Sequence, residues 1–289
     1  MRKLFLWLTA TVFMGLTANA QEFFEYDAPV PDSVPKSDGQ RSYYGNDHTP
    51  KGHLHVLYVC VQFEEDNYYE GNETWPSNSL PNWHDRLFYE TMDEFTDTAT
   101  DLSLSNYYYQ NSKFGEEPFY VTGEFADLVK VPASGGVPSS HNSAVFAQLA
   151  EQYPNKDWSG FDLRTNHTYS QAYKTDNSNT PSDNKFDYVV VQYRVFDSVW
   201  YEDVGLTQPG HTAVADCGSG TVTSSQGIWQ VNNDGHTHFS NLKFMTARDL
   251  FLHEMAHNLY IYGHYNYANG VCGDHMHMTL FWSMMRSNM

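Results

Sequence analysis

Apolar and polar positions alternate along this chain with two different periods, and the change of period marks out its elements. HLHVLYVCVQF, residues 53–63, is β-branched and aromatic with almost no polar break, as a strand buried on both faces requires, and it predicts a central strand. FDYVVVQYRV predicts a second such strand beginning near Tyr188, and PFYVTGEFADLV, 118–129, predicts a strand or a hairpin. Helical spacing appears where Trp83, Leu87, Phe88, Met92 and Phe95 recur, predicting a helix near 82–97. LSLSNYYYQN, Leu102 to Asn111, predicts a second helix, whose three tyrosines read as core or as the lining of a cleft. SAVFAQLAEQ, Ser143 to Gln152, predicts a short amphipathic helix capped by Asn142 or Ser143. Residues 199–245 are rich in Gly, Ser, Thr and Asn with strand-like pieces such as GTVTSS and GIWQV, and they predict an edge strand along which an extended peptide would lie.

The last helical stretch carries chemistry. NLKFMTARDLFL runs into HEMAHNLYIYGH, with Thr246 or Asn241 as N-cap and Leu252, Met255, Ala256 and Leu259 forming an apolar face. His253 and His257 stand four apart, so consecutive turns of one helix offer two imidazoles to a single metal ion. Glu254 then lies beside the ion without ligating it, available as general base. A third ligand is sought downstream, where no glutamate follows Glu254. His264, Asp274, His275, His277 and Cys272 are the candidates, and His264 is favoured because Gly263 can take the positive φ that turns the chain back. His53 and His55 read as surface histidines, and His211, His236 and His238 as non-ligands.

Composition narrows the setting. With 289 residues, 40% apolar and 18% charged, the chain reads as globular rather than disordered. Arg2 and Lys3, an apolar stretch from Leu4 to Leu16 and Ala18-Asn19-Ala20 make residues 1–20 a cleavable signal peptide, implying a secreted or periplasmic protein. Residues 21–52, rich in Pro, Asp and Ser, read as an extended arm, and 53–289 as one domain. The formal charge is −19, becoming −21 once Arg2 and Lys3 are removed, which argues against nucleic acid and anionic membrane surfaces as partners. No later segment is apolar enough for membrane insertion. Of three cysteines, Cys217 and Cys272 are the expected disulfide pair and Cys60 a buried thiol. Oxygen donors in 174–187 (Asp176, Asn177, Ser178, Asn179, Asp183 and Asp187) make calcium a second candidate ion beside zinc, although the glycine of an EF-hand loop is missing.

In order, LSNYYYQNSKFG, FYVTGEF, FDYVVVQYR and HEMAHNLYIYGH resemble the zincin metallopeptidases of the metzincin type, nearest to the secreted immune inhibitor A-like peptidases. SMM at 283–285 resembles the methionine turn of that group, with Met285 as the floor beneath the metal. The resemblance implies an α+β fold of zincin type, a twisted mixed β-sheet with an active-site helix carrying HExxH. It also implies one catalytic Zn2+ and hydrolysis of protein or peptide substrates. Two departures stand out against the pattern HExxHxxGxxH. Tyr260 occupies the glycine position, with His264 seven residues after His257, and the chain ends four residues after Met285, earlier than the resemblance implies. Two competing readings follow: a zinc-bearing, catalytically inactive binding or adhesion module, which would hold zinc without turnover, and an aromatic-rich carbohydrate-binding protein, which would hold none.

Overall fold

The computed structural model describes residues 52–66, 73–114, 118–164, 183–194, 213–232, 235–239 and 243–259. Residues 1–51, which hold the expected signal peptide and nearly all of the expected arm, and everything after Leu259, including His264, Cys272 and Met285, lie outside the described residues. The architecture is mixed α/β, a mostly parallel sheet with few helices.

Strand β1, Gly52–Phe63, holds the sheet together. Its first half pairs in parallel with β2, Phe119–Phe125, and its last residues pair in parallel with β3, Val129–Val131. The stretch 118–129 is therefore no hairpin: both strands run the same way along one edge of β1, stepped apart by residues 126–128. On its other side β1 pairs with β4, Val189–Tyr193. The sheet continues through β8, Gly235–Phe239, to β5, Ala213–Asp216, giving the order β2-β1-β4-β8-β5. Only β5 runs antiparallel to its neighbour. Strands β6, Ser219–Ser224, and β7, Gly227–Asn232, form a separate hairpin, so GTVTSS and GIWQV are not in the main sheet; among the described residues its edge on that side is β5.

Both faces of β1 are covered, which is why its sequence lacks polar alternation. Leu57, Val59, Val61 and Phe63 join Val189, Val191 and Tyr193 against helix α2, Trp158, Phe161, Phe186 and the β6–β7 hairpin. Helix α2 is Asn142–Gln152; its N-cap is His141, and neither Asn142 nor Ser143 caps it. On the opposite face Leu54, Val56, Tyr58 and Cys60 join Tyr188 and Val190 beneath helices α1, Leu104–Ser112, and α3, Phe244–Leu259. Ser103 caps α1 by accepting from the Asn106 N–H at 3.1 Å. Tyr108 of the tyrosine block is core, whereas Tyr109 stacks on Tyr120.

The helix expected near 82–97 does not form. Two single 3-10 turns, His84–Arg86 and Met92–Glu94, replace it. Tyr89 bridges to Thr122, and its carbonyl accepts from the Gly123 N–H at 3.0 Å. That backbone is thus committed to the outer edge of β2, and a helix cannot use the same groups. Gly123 is required there, because a Cβ would meet the Phe88 ring at 2.6 Å. Trp83, Leu87 and Phe88 are still buried, but from an irregular segment wrapped over the sheet.

Candidate functional site

Helix α3 contains HEMAH in full, and His253 and His257 lie one turn apart within an unbroken helix. It begins at Phe244, so Thr246 lies in its first turn rather than at its cap; Asn241 is outside the described residues. Ala247, Phe251 and Met255, four apart, are fully buried, and Leu252 beside them nearly so. Phe251, not among the apolar positions expected, is the main seat. Its ring meets Phe88 at 5.4 Å, Tyr188 at 5.6 Å and His236 at 5.6 Å between centroids. The Arg86 guanidinium lies 4.7 Å from the Phe244 ring centre and that of Arg248 5.5 Å from the Tyr107 ring centre, fastening the start of α3 to the preceding layer.

Strand β8, which leads into α3, is gripped from both sides. Towards α2, the buried Asn142 amide donates to the Thr237 hydroxyl at 2.9 Å and the Cys217 carbonyl at 2.6 Å, and accepts from the Tyr193 hydroxyl at 2.9 Å. Towards α3, the buried rings of His236 and His238 stack with centroids 4.2 Å apart. His236 Nδ1 lies 2.7 Å from the Tyr188 hydroxyl. Both ring nitrogens of His238 lack a hydrogen bond, and burial lowers its pKa from 6.5 to about 3. Next to it in register, Gln192 accepts from the Tyr58 hydroxyl. The imidazoles of β8 are part of the floor under α3, and the period-two pattern of GHTHF is the one sequence signal that could have placed them there.

Glu254 is partly buried, and its pKa is raised from 4.5 to about 7, by burial first and then by the negative charge of Asp216. Asp216 ends β5 and pairs in register with His236. The path from Asp216 to His236 to Phe251, and one turn on to Glu254, puts an exposed carboxylate at the rim beside the candidate base. Sequence reasoning did not single out Asp216.

The side chains of His253 and His257, and all of His264, are outside the described residues. Among the described residues no group of three or more His, Cys, Asp or Glu is gathered as a metal site. His53 and His55 are not surface residues as expected. They are half-buried on the sheet face opposite α3, 2.8 and 2.5 Å from the single Thr122 hydroxyl, and burial is the main cause lowering both pKa values to about 4. Of the calcium candidates, Asp187 accepts from the backbone N–H groups of Leu163 and Arg164 at 2.7 and 3.2 Å, and Asp183 accepts from the Lys185 ammonium at 2.9 Å; positions 176–179 are outside the described residues. Cys60 is a free, buried thiol as expected and Cys217 is buried, whereas Cys272, its expected partner, lies outside the described residues. No described helix is long and apolar enough to cross a membrane. Compared with known protein families and with characterised proteins, the chain matches none.

Proposed function

We propose that this chain is an exported zinc-dependent endopeptidase of the zincin type, with Glu254 as its general base. One observation carries the reading: HEMAH lies wholly within an α-helix. Two histidine positions one turn apart on a continuous helix suit zinc, which takes imidazole nitrogens at about 2.0–2.1 Å. His253 and His257 would hold the ion, with His264 as third ligand. When bound, zinc supplies an acidified water and polarises the scissile carbonyl.

The chain's own residues do the rest. A base poised near neutral pH takes a proton and returns it with little driving force lost in either direction. The Glu254 carboxylate accepts the proton of the attacking water and delivers it to the leaving amine. Burial of Glu254 and the nearby charge of Asp216 both hold that proton more firmly than an exposed glutamate would. Among the described residues β5 is the last strand of the sheet, so its outer edge offers backbone donors and acceptors to an extended peptide.

Glu254→Gln is the test. The variant should bind one equivalent of zinc, measured by atomic absorption, yet lose at least about a hundredfold in peptide cleavage, the size of a general-base contribution. Unchanged cleavage refutes the assignment. Stoichiometric zinc in a wild-type protein that cleaves nothing would favour the inactive binding module, the reading supported by the seven-residue spacing from His257 to His264.

A further inference from the structure

His53 and His55 stand two apart on β1, so the pleat carries both imidazoles to the face opposite α3, while Leu54 between them is buried on the α3 side. Thr122 of β2 lies beside His55 in register. Its Oγ1 is 2.8 Å from His53 Nε2 and 2.5 Å from His55 Nδ1, and the two ring centres are 6.1 Å apart. Neither ring has another hydrogen bond among the described residues, and both residues are only half-buried, so an ion can reach them. The Phe161 ring, 4.5 Å from that of His55 between centroids, backs it from one side.

These spacings are close to those around a tetragonal metal ion. Adjacent ligands about 2.1 Å from such an ion are about 3.0 Å from each other, and two imidazoles on opposite sides of it have ring centres about 6 Å apart. A tetrahedral ion sets adjacent donors about 3.4 Å apart, wider than the two contacts of Thr122. The cations felt at these rings are Arg164 and Lys156. Both are engaged: Arg164 Nε donates to the His53 carbonyl at 3.0 Å, and Lys156 pairs with Glu124. Their charge still opposes an arriving cation, which favours the divalent ion that bonds imidazole most strongly, Cu2+.

We propose that His53, His55 and Thr122 form a second metal site, a tetragonal Cu2+ site with the two imidazoles on either side of the ion, the hydroxyl between them and water in the remaining positions. The site lies on the opposite face of the sheet from α3 and does not depend on the peptidase reading. Each ring moves its proton to the nitrogen facing away from Thr122 and presents a lone pair to the ion. Because the ligands come from two strands, the bound ion clamps the start of β1 to β2.

The experiment titrates the whole chain with Cu2+ in a glycine buffer that sets free copper, read by electron paramagnetic resonance. The zinc-loaded wild-type protein and a His253→Ala/His257→Ala background, which removes the helix histidines as competing ligands, are both used. In each, one equivalent should bind with a tetragonal spectrum and echo modulation from two imidazoles. His53→Gln or His55→Gln should weaken that equivalent more than about a hundredfold, beyond the cost of losing an outer-shell partner, and Thr122→Val should weaken it about tenfold. Copper should raise the thermal midpoint of the parent protein and of neither Gln variant. Copper affinity unchanged by the Gln variants, a signal from fewer than two imidazoles, or Zn2+ bound there more tightly than Cu2+ overturns the proposal. If a Gln variant does not fold, Thr122→Val decides, and an affinity equal to that of the parent overturns the proposal.

Discussion

His238 offers a quantitative test of how β8 is seated beneath α3. It is fully buried, neither ring nitrogen has a hydrogen bond, and the His236 ring stacks on it. Its imidazolium is therefore penalised, and the folded-state pKa falls from 6.5 to about 3. The sign follows from proton uptake. Between these values the unfolded chain binds a proton that the folded one refuses, so stability is complete above the unfolded pKa and is lost as pH falls through the window from 6.5 to about 3. At about 1.4 kcal/mol per unit, the loss is about 2 kcal/mol by pH 5 and at most about 5 kcal/mol below pH 3.

His238→Leu removes the titrating group while keeping a side chain of similar bulk. Urea unfolding of both proteins at pH 8 and pH 5 gives the comparison. The wild-type protein should lose about 2 kcal/mol more than the variant between the two, and the difference should persist in high salt because desolvation, not a distant charge, causes it. Equal pH dependence in the two proteins would refute the argument, as would an NMR titration placing the His238 ring above pH 5.

Two further changes probe the frame around the site. Arg194 is fully buried, donating from Nε to the Trp75 carbonyl at 3.0 Å and pairing with Asp66, so Asp66→Ala should cost about 3–5 kcal/mol in urea unfolding. The double variant Asp66→Leu/Arg194→Met should recover most of that loss; if the single and double variants are equally unstable, the uncompensated charge is not the cause. Gly235 opens β8 at φ +136°, and a Cβ there would meet the Val189 carbonyl oxygen at 1.9 Å. Gly235→Ala should therefore cost more than about 3 kcal/mol and lower the thermal midpoint, and a midpoint within a degree of wild type would contradict this packing.

The elements that were legible in the chain are those whose signal is local. β1 and β4 announce themselves by apolar runs with no polar face, α2 by its amphipathic pattern, and HEMAH by two histidines that any helix brings onto consecutive turns. A periodicity argument uses only neighbours in sequence, and it succeeds where no distant group competes for the same backbone or side chain. It fails at residues 82–97, where apolar residues at helical spacing lose to β2, whose Gly123 N–H takes the Tyr89 carbonyl. His53 and His55 look like ordinary surface histidines until Thr122 arrives from β2 and places its hydroxyl between them. The site divides along the same line. Glu254 and its flanking histidines can be read from five consecutive residues, because helix geometry alone sets their spacing. The charge that raises the affinity of Glu254 for its proton comes from Asp216, carried there by the antiparallel return of β5 on β8. No residue near Asp216 in the chain marks it out, since strand pairing depends on burial and register across the whole sheet rather than on any local pattern.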